Sequence, residues 1–308
     1  MQTLQKPNWI KAKIPSGSNY NHLKTLMKNL NLHTVCEEAR CPNIGECWGA
    51  GTLTFMILGD TCTRSCGFCH VKTGRGGDID LYEPERVAEA VRKLVENNAT
   101  INHIVITSVN RDDRNYESAC VFAETIRKVR KGNPNIKIEV LIPDFKADIE
   151  ALREILDAKP DVLNHNIETV PRLYRLPQVT ISGLKRSVRP QARYEWSLRV
   201  LEQSKNLGHE GLFTKSGIMV GLGEEVEEVI ETLWDLKNVG CDIITIGQYL
   251  QPSKDHLPIT RYYHPLEFES LKKYGETIIG IPHIEAGPLV RSSYHAGEQV
   301  VKLGGEIS

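Results

Sequence analysis

Long apolar runs and an excess of one charge are both missing from this sequence. No stretch approaches the roughly 18 apolar residues that a membrane-spanning helix needs, and residues 1–17 contain lysines but lack the apolar centre of a signal peptide. The formal net charge is only -1, so no global field attracts nucleic acid or an anionic membrane. We therefore expect a cytoplasmic globular protein that recognises its partners locally, with neither nucleic acid nor a membrane among them.

Cysteine is scarce over most of the chain. Of eight cysteines, six lie between Cys36 and Cys69, and the others are Cys120 and Cys241. A disulfide framework would be spread more evenly, and clustered cysteines in a chain without a secretory signal indicate metal ligands or redox groups. Cys120 falls in the apolar stripe of a predicted helix and Cys241 begins a predicted buried strand, so we expect both to be core thiols.

From residue 53 onward, apolar runs typical of strands alternate with helical patterns, which is typical of βα units around a parallel sheet. The predicted strands are residues 53–59, 103–109, 137–143, 161–168, 213–221 and 243–250. The predicted helices are residues 83–98, 116–130, 146–158, 192–207, 226–239 and 267–279. Six units are too few to close an eight-stranded barrel. The sequence therefore predicts an α/β fold with a partial, open (β/α)6 TIM-like barrel, whose lateral mouth could admit a side chain of another protein.

The segments on either side of the repeat do not follow its pattern. We expect an N-terminal extension over residues 1–52, the barrel over residues 53–281 and a C-terminal extension over residues 282–308, with the two extensions packed on the barrel. The connection over residues 170–190 is long and rich in Arg and Pro, and we expect it to cover part of the site.

The first cysteine cluster follows the first predicted strand. Cys62, Cys66 and Cys69 have the spacing CxxxCxxC, on a loop at the end of a barrel strand where active sites of such barrels lie. Three thiolates on a short loop can hold three irons of a cubane and leave the fourth open to a small molecule. A zinc site is the alternative, but His70 directly follows Cys69 and could join the same tetrahedron only with strain. The motif resembles the radical S-adenosylmethionine (SAM) superfamily.

A second cluster lies upstream, where Cys36, Cys41 and Cys47 have the spacing CxxxxCxxxxxC. This spacing is too irregular for a zinc knuckle and suggests a second cubane. Its fourth ligand must be a residue other than Cys, or solvent. Near the C-terminus the chain reads Arg-Ser-Ser-Tyr-His-Ala-Gly from Arg291, which taken alone is typical of a polar turn.

The three motifs together resemble the lipoyl synthase family, and the match covers almost the whole chain. The resemblance implies that Cys36, Cys41, Cys47 and Ser292 bind an auxiliary 4Fe-4S cluster, while Cys62, Cys66 and Cys69 bind the cluster that cleaves SAM. It implies a radical SAM sulfurtransferase that inserts two sulfur atoms at C6 and C8 of an octanoyl group on a lysine of a lipoyl carrier protein. The auxiliary cluster is then the sulfur donor.

The same resemblance implies the partners. They are octanoylated carrier domains of 2-oxoacid dehydrogenase E2 subunits and of the glycine cleavage H protein, an electron donor such as ferredoxin or flavodoxin, and an iron-sulfur carrier that rebuilds the auxiliary cluster. Polar groups at the ends of the other predicted strands are candidates to hold SAM, with capping or barrel-lining roles as the alternative. They are Ser108, Asn110, Arg111, Asn166, Glu168, Lys215, Gly221, Glu224 and Gln248.

Three other functions remain open from the residues alone. Another radical SAM sulfur-inserting enzyme would have a different second cluster, against which the Cys36 spacing and the Ser292 motif argue. An iron-sulfur electron carrier would keep four cysteines for each cluster and rarely needs a barrel of this size. A zinc-stabilised binding protein would contain no sulfide.

Overall fold

A mostly parallel sheet of eight strands forms the centre of the computed structural model, which describes residues 4–49, 53–98 and 101–304. The strands of the described residues are β1 His33–Thr34, β2 Thr54–Ile57, β3 Thr61–Cys62, β4 Lys72–Thr73, β5 His103–Ser108, β6 Lys137–Leu141, β7 Val162–Asn164, β8 Gln178–Val179, β9 Lys185–Arg186, β10 Phe213–Val220, β11 Ile243–Gln248 and β12 His283–Gly287. The α-helices are α1 Ser18–Asn29, α2 Val35–Glu38, α3 Ile44–Gly49, α4 Glu83–Asn97, α5 Asn115–Gly132, α6 Ile149–Asp157, α7 Tyr194–Leu207, α8 Val226–Asn238, α9 Pro265–Tyr274 and α10 Ala296–Lys302.

The central sheet has the order β1-β2-β5-β6-β7-β10-β11-β12. All neighbours from β2 to β12 are parallel, whereas β1 runs antiparallel to β2. Within the described residues the outermost strands β1 and β12 do not pair with each other, so the barrel is open. The predicted α/β fold with a partial barrel is confirmed, and the carboxyl ends of its parallel strands meet at one edge.

The helices lie where the periodicity placed them. In α4, Pro84 occupies the first turn, where its missing N–H costs nothing, and Val87, Val91 and Leu94 are buried. Burying one stripe of each helix against the sheet forms the core and leaves the loops at the carboxyl ends of the strands free for chemistry. No helix among the described residues is long and apolar enough to cross a membrane.

The structure differs from the sequence analysis in the tail after Pro282. We expected this segment to lie on the barrel, but His283–Gly287 forms β12 and pairs in parallel with β11. The five residues contain a His, a Glu and a Gly and so lack the apolar run by which buried parallel strands are recognised. The division of the chain into three regions stays a prediction.

Candidate functional site

The loop that carries Cys62, Cys66 and Cys69 follows β2 at the carboxyl edge of the sheet. The Sγ atom of Cys62 accepts hydrogen bonds from the backbone N–H groups of Arg64, at 3.4 Å, and Asn110, at 3.3 Å. The N–H of Cys69 donates to the carbonyl of Cys66 at 3.1 Å, which closes a turn between two of the cysteines. The bond from Asn110 fixes the loop near the end of β5, and the three cysteines line one cavity.

A buried arginine within this loop fixes its position. The guanidinium of Arg64 donates two hydrogen bonds of 2.8 Å to Asp112 and two of 2.6 Å to Asp144. Arg64 is only 5% exposed, and Asp144 is fully buried. Burial alone would raise the pKa of Asp144, but the hydrogen bonds and charge of Arg64 lower it to about 2. The paired carboxylates follow β5 and β6, so one cation fastens the cysteine loop to two strand ends.

Close packing at a glycine holds the same loop from its other side. The N–H of Gly67 donates to the carbonyls of Ser187 and Val188, and its own carbonyl accepts from the N–H of Leu257 at 3.0 Å. A Cβ at Gly67 would lie 2.6 Å from the Ser187 carbonyl oxygen. Only glycine therefore fits at this point of the motif without displacing the backbone of the neighbouring segment.

The second cysteine segment packs over the edge of the barrel. Thr34 caps α2 by accepting a hydrogen bond from the N–H of Glu37, and Cys36 lies in that helix while Cys47 lies in α3. The side-chain amide of Asn43 donates to the carbonyl of Leu289 at 2.7 Å. This bond joins the N-terminal cysteine segment directly to the C-terminal segment that carries the Arg-Ser-Ser-Tyr motif.

Two neighbouring cavities contain the two sets of cysteines. One, of about 710 Å³, is lined by Cys36, Cys41 and Cys47, and the other, of about 500 Å³, is lined by Cys62, Cys66 and Cys69. The side chains that line both cavities include those of Cys41, Arg291 and Ser293. A substrate in the second cavity would therefore be close to a group bound in the first.

The adjacent serines of the C-terminal motif occupy different positions. Ser292 Oγ donates to Asn166 Oδ1 at 2.9 Å and lines the cavity of the CxxxCxxC loop. Ser293 lines the cavity that contains Cys36, Cys41 and Cys47, whereas Ser292 does not line it. Of these two serines, Ser293 therefore lines the same cavity as the three cysteines, and the assignment of Ser292 as their partner stays a prediction. A sequence offers no means of choosing between two adjacent serines in a turn.

Burial disfavours the thiolate form of four of the cysteines. Burial raises the pKa of Cys36 and Cys66 to about 11 and that of Cys47 and Cys69 to about 12. Neutral buried thiols are poor nucleophiles, and metal binding deprotonates such groups. The site is therefore suited to hold a metal cluster rather than to react through a free thiolate.

Three of the nine predicted SAM contacts line the cavity of the CxxxCxxC loop, namely Ser108, Asn166 and Glu168. Ser108 Oγ is buried without a hydrogen-bond partner, which marks a polar atom available to a ligand. Glu168 has a φ of 68°, a strained conformation for a residue with a Cβ. Burial raises the pKa of its carboxyl, and the positive charges of Arg189 and Arg291 oppose that shift.

The other six predicted contacts do not line this cavity, and their polar groups are used within the fold. Lys215 is fully buried in the barrel, 3.1 Å from Glu139. Asn110 bonds Thr63 and Arg111 pairs with Asp113. Glu224 accepts the N–H groups of Gly221 and Leu222, and Gln248 donates to the carbonyls of Val220, Tyr249 and Arg261. Three of the nine candidates therefore line the cavity and six lie elsewhere in the fold, among them residues with the structural roles that the sequence left open as the alternative.

Sequence reasoning missed the residues that hold the site together. Arg64 could have been noticed because it stands inside the cysteine motif, but its partners Asp112 and Asp144 follow different strands. Arg291 lines both cavities. In the sequence it stands out only as the first residue of the C-terminal motif.

The sequence is similar to known proteins over nearly its whole length. Residues 56–236 match the model of the radical SAM superfamily, and residues 1–41 match the N-terminal domain of lipoyl synthase of the radical SAM family. Lipoyl synthase of Rubrobacter xylanophilus is 55% identical, with 96% of this chain and 86% of that protein covered. Lipoyl synthase of Koribacter versatilis is 54% identical, covering 96% and 91%. The mitochondrial lipoyl synthase of Nematostella vectensis is 49% identical, covering 96% and 95%.

Solved structures resemble the fold. Methylornithine synthase superimposes with a TM-score of 0.55 at 16% identity, covering 85% of this chain and 73% of that one. The FeFe-hydrogenase maturase HydG from Carboxydothermus hydrogenoformans gives a TM-score of 0.54 at 16% identity, covering 80% and 56%. At such low identity these likenesses support the architecture alone.

We predict that the substitution Arg64→Lys loosens the cysteine loop. Lysine keeps the charge but cannot donate to two carboxylates in a fork, so the buried Asp144 and the half-buried Asp112 become poorly paired. Removing one partner of a buried pair costs about 3–5 kcal/mol, and we expect a loss below that range because the charge is kept. Urea unfolding of the metal-free protein measures the loss, and iron analysis after reconstitution should show fewer irons per chain.

The matched control is Arg92→Lys, which alters an exposed arginine that pairs with Glu89 and Glu96 on the surface of α4. Exposed ion pairs contribute little, so this variant should unfold and bind iron like the parent. Equal behaviour of the two variants would contradict the anchoring role of Arg64.

Proposed function

The chain belongs to the lipoyl synthase family of radical SAM enzymes, and on that premise we propose which of its residues carry the reaction. The family inserts two sulfur atoms at C6 and C8 of an octanoyl group attached to a lysine of a lipoyl carrier protein. The observation that carries the assignment of residues is the presence of two cysteine-lined cavities with a shared wall.

Cys62, Cys66 and Cys69 hold the first 4Fe-4S cluster in this proposal. When bound, this cluster supplies the electron that cleaves SAM to methionine and a 5'-deoxyadenosyl radical. The protein itself positions the thiols through the hydrogen bonds of Arg64 and through Gly67, where the neighbouring backbone leaves no room for a side chain. Such positioning matters because a radical that abstracts hydrogen must be held close to its target carbon and away from other donors.

Ser108, Asn166 and Glu168 are the polar groups that we propose to bind SAM. All three line the cavity of the first cluster: Ser108 ends β5, and Asn166 and Glu168 lie just beyond β7. SAM carries an ammonium group and hydroxyl groups, for which a carboxylate, an amide and an unpaired serine hydroxyl are suitable partners. The remaining walls include Met56, Phe68 and Met219, which suit an alkyl chain.

Cys36, Cys41 and Cys47 hold the auxiliary cluster, which serves as the sulfur-donating substrate. We propose Ser293 rather than Ser292 as the fourth ligand, because Ser293 lines the cavity with the three cysteines. A serine oxygen is a harder ligand than a thiolate and is less suited to an iron already bound to sulfide. That corner of the cluster can therefore be released more readily when the sulfur is used.

We infer the individual protein partners from the family. We propose that the substrates are octanoylated E2 subunits of 2-oxoacid dehydrogenases and the glycine cleavage H protein, that ferredoxin or flavodoxin donates electrons, and that an iron-sulfur carrier rebuilds the auxiliary cluster. We also propose a cytoplasmic location, which suits a chain whose eight cysteines are all free thiols.

The activity is tested with anaerobically reconstituted protein, SAM, a strong reductant and a short octanoyl-lysyl peptide. We expect a peptide that gains two sulfur atoms while SAM becomes methionine and 5'-deoxyadenosine, as followed by mass spectrometry. Cleavage of SAM with an unchanged peptide would contradict the proposed substrate. The variant Cys66→Ala should cleave no SAM, which controls for cleavage outside the first site.

The choice between the two serines is tested by a pair of variants. We expect Ser293→Ala to bind fewer than the about eight irons of two cubanes and to cleave SAM without forming the dithiolated peptide. Ser292→Ala removes a hydrogen bond to Asn166 but should retain both clusters and form product. The reverse pattern, with product lost only in Ser292→Ala, would restore the assignment made from the sequence.

A further inference from the structure

The connection between β7 and α7 is strongly basic. Residues 165–193 contain five arginines and one lysine against a single carboxylate, Glu168, although the whole chain has a net charge of -1. This connection leaves the carboxyl end of β7, so it lies on the side of the barrel where the cysteine loop is found. Such local concentration of one charge attracts a partner of opposite charge even when the global field is weak.

Four of these six cations have no carboxylate partner. Arg172 pairs with Glu228 at 2.7 Å, and Arg189 is buried 3.5 Å from Asp144. The others form no ion pair with any described carboxylate, and at least part of each side chain reaches the surface. We call these four residues the basic surface: Arg175, Lys185, Arg186 and Arg193.

Apolar side chains accompany the basic surface. Strands β8 and β9 form a hairpin on which Leu176, Val179 and Leu184 are 43%, 46% and 46% exposed. These three aliphatic side chains lie on one short segment beside the cations and offer a partner apolar contact area. Tyr174 of the same connection and Tyr194 at the start of α7 are buried, so the exposed part lacks the aromatic platforms on which single-stranded nucleic acids stack.

The hairpin is joined to the walls of the site. Its final residues supply the carbonyls of Ser187 and Val188 that fix Gly67 in the cysteine loop, and the N–H of Ser182 donates to the carbonyl of Lys254 at 3.1 Å. Lys254 directly follows a segment whose residues Gln251 and Pro252 line the cavity of the first cluster. The charges of Lys254 and its neighbour Asp255 offset one another.

We propose that the basic surface, with the exposed aliphatic groups of the hairpin, docks an acidic face of the carrier domain that presents the octanoyl-lysine. The proposal rests on the proposed function, because that reaction requires a protein-bound substrate to reach the cavity. Complementary charges raise the rate of encounter and fix the orientation of the partner, and their effect falls with added salt. The aliphatic side chains then contribute apolar contact area.

The test compares a whole carrier with a short substrate. The triple variant Arg175→Glu, Lys185→Glu and Arg186→Glu reverses the charge of the hairpin. The control reverses Lys131, Arg153 and Arg199, which are exposed cations on the outer helices α5, α6 and α7. For both variants, KM and kcat are measured with octanoylated H protein and with a short octanoyl-lysyl peptide, over a series of salt concentrations. An iron-sulfur carrier is present in each assay so that the auxiliary cluster is rebuilt between turnovers.

We expect the hairpin variant to raise KM for the H protein by about tenfold and to weaken its salt dependence, with both constants for the peptide unchanged. The control variant should match the parent on both substrates. An unchanged KM for the H protein would overturn the docking proposal and leave the proposed function standing. Loss of activity on the peptide as well would also overturn it, because the hairpin would then act by supporting the cysteine loop.

Two further outcomes separate the alternatives. If the parent protein sulfurates neither substrate, the proposed function fails and the docking proposal falls with it. Tighter binding of the parent than of the hairpin variant to anionic lipid vesicles or to RNA, with no difference on the H protein, would assign the basic surface to another class of partner.

Discussion

The site depends on the hydrogen bonds that the buried guanidinium of Arg64 donates to two carboxylates. The guanidinium joins the cysteine loop to Asp112 and Asp144, which follow separate strands of the sheet, through four hydrogen bonds of 2.6 to 2.8 Å. Of the three cysteines only Cys62 lies in a strand, the two-residue β3, so secondary structure alone does not fix all three thiols. The open sheet brings the strand ends to one edge, and the arginine converts that edge into a rigid support for a metal cluster.

A second constraint comes from the two ends of the chain. The N-terminal cysteine segment and the C-terminal segment meet through the hydrogen bond from Asn43 to the carbonyl of Leu289, and residues of both segments line the auxiliary cavity. Cys41, Arg291 and Ser293 then face both cavities. This shared wall gives a physical account of how one alkyl chain could be near both a radical source and a sulfur source.

Periodicity and spacing predicted much of this arrangement. The six βα units and the open barrel followed from apolar runs and helical stripes, because burial on one face of each element dictates those patterns. β12 was missed because the strand is short and contains polar residues. Its place depends on pairing with β11. The SAM contacts stay a prediction, and Gln248 and Glu224 at strand ends hydrogen-bond the backbone, which a sequence does not reveal. Which of two adjacent serines faces the cysteines depends on the geometry of one turn, which a sequence does not contain.

The central claim is that the cavity of Cys36, Cys41 and Cys47 holds the sulfur that reaches the substrate in the neighbouring cavity. The most direct measurement reconstitutes the protein with iron and sulfide labelled with a heavy sulfur isotope, removes free sulfide and allows one turnover on an octanoyl-lysyl peptide. Mass spectrometry should then find the heavy isotope at both inserted positions. A dithiolated peptide without the label would show that the sulfur comes from elsewhere and would contradict the account.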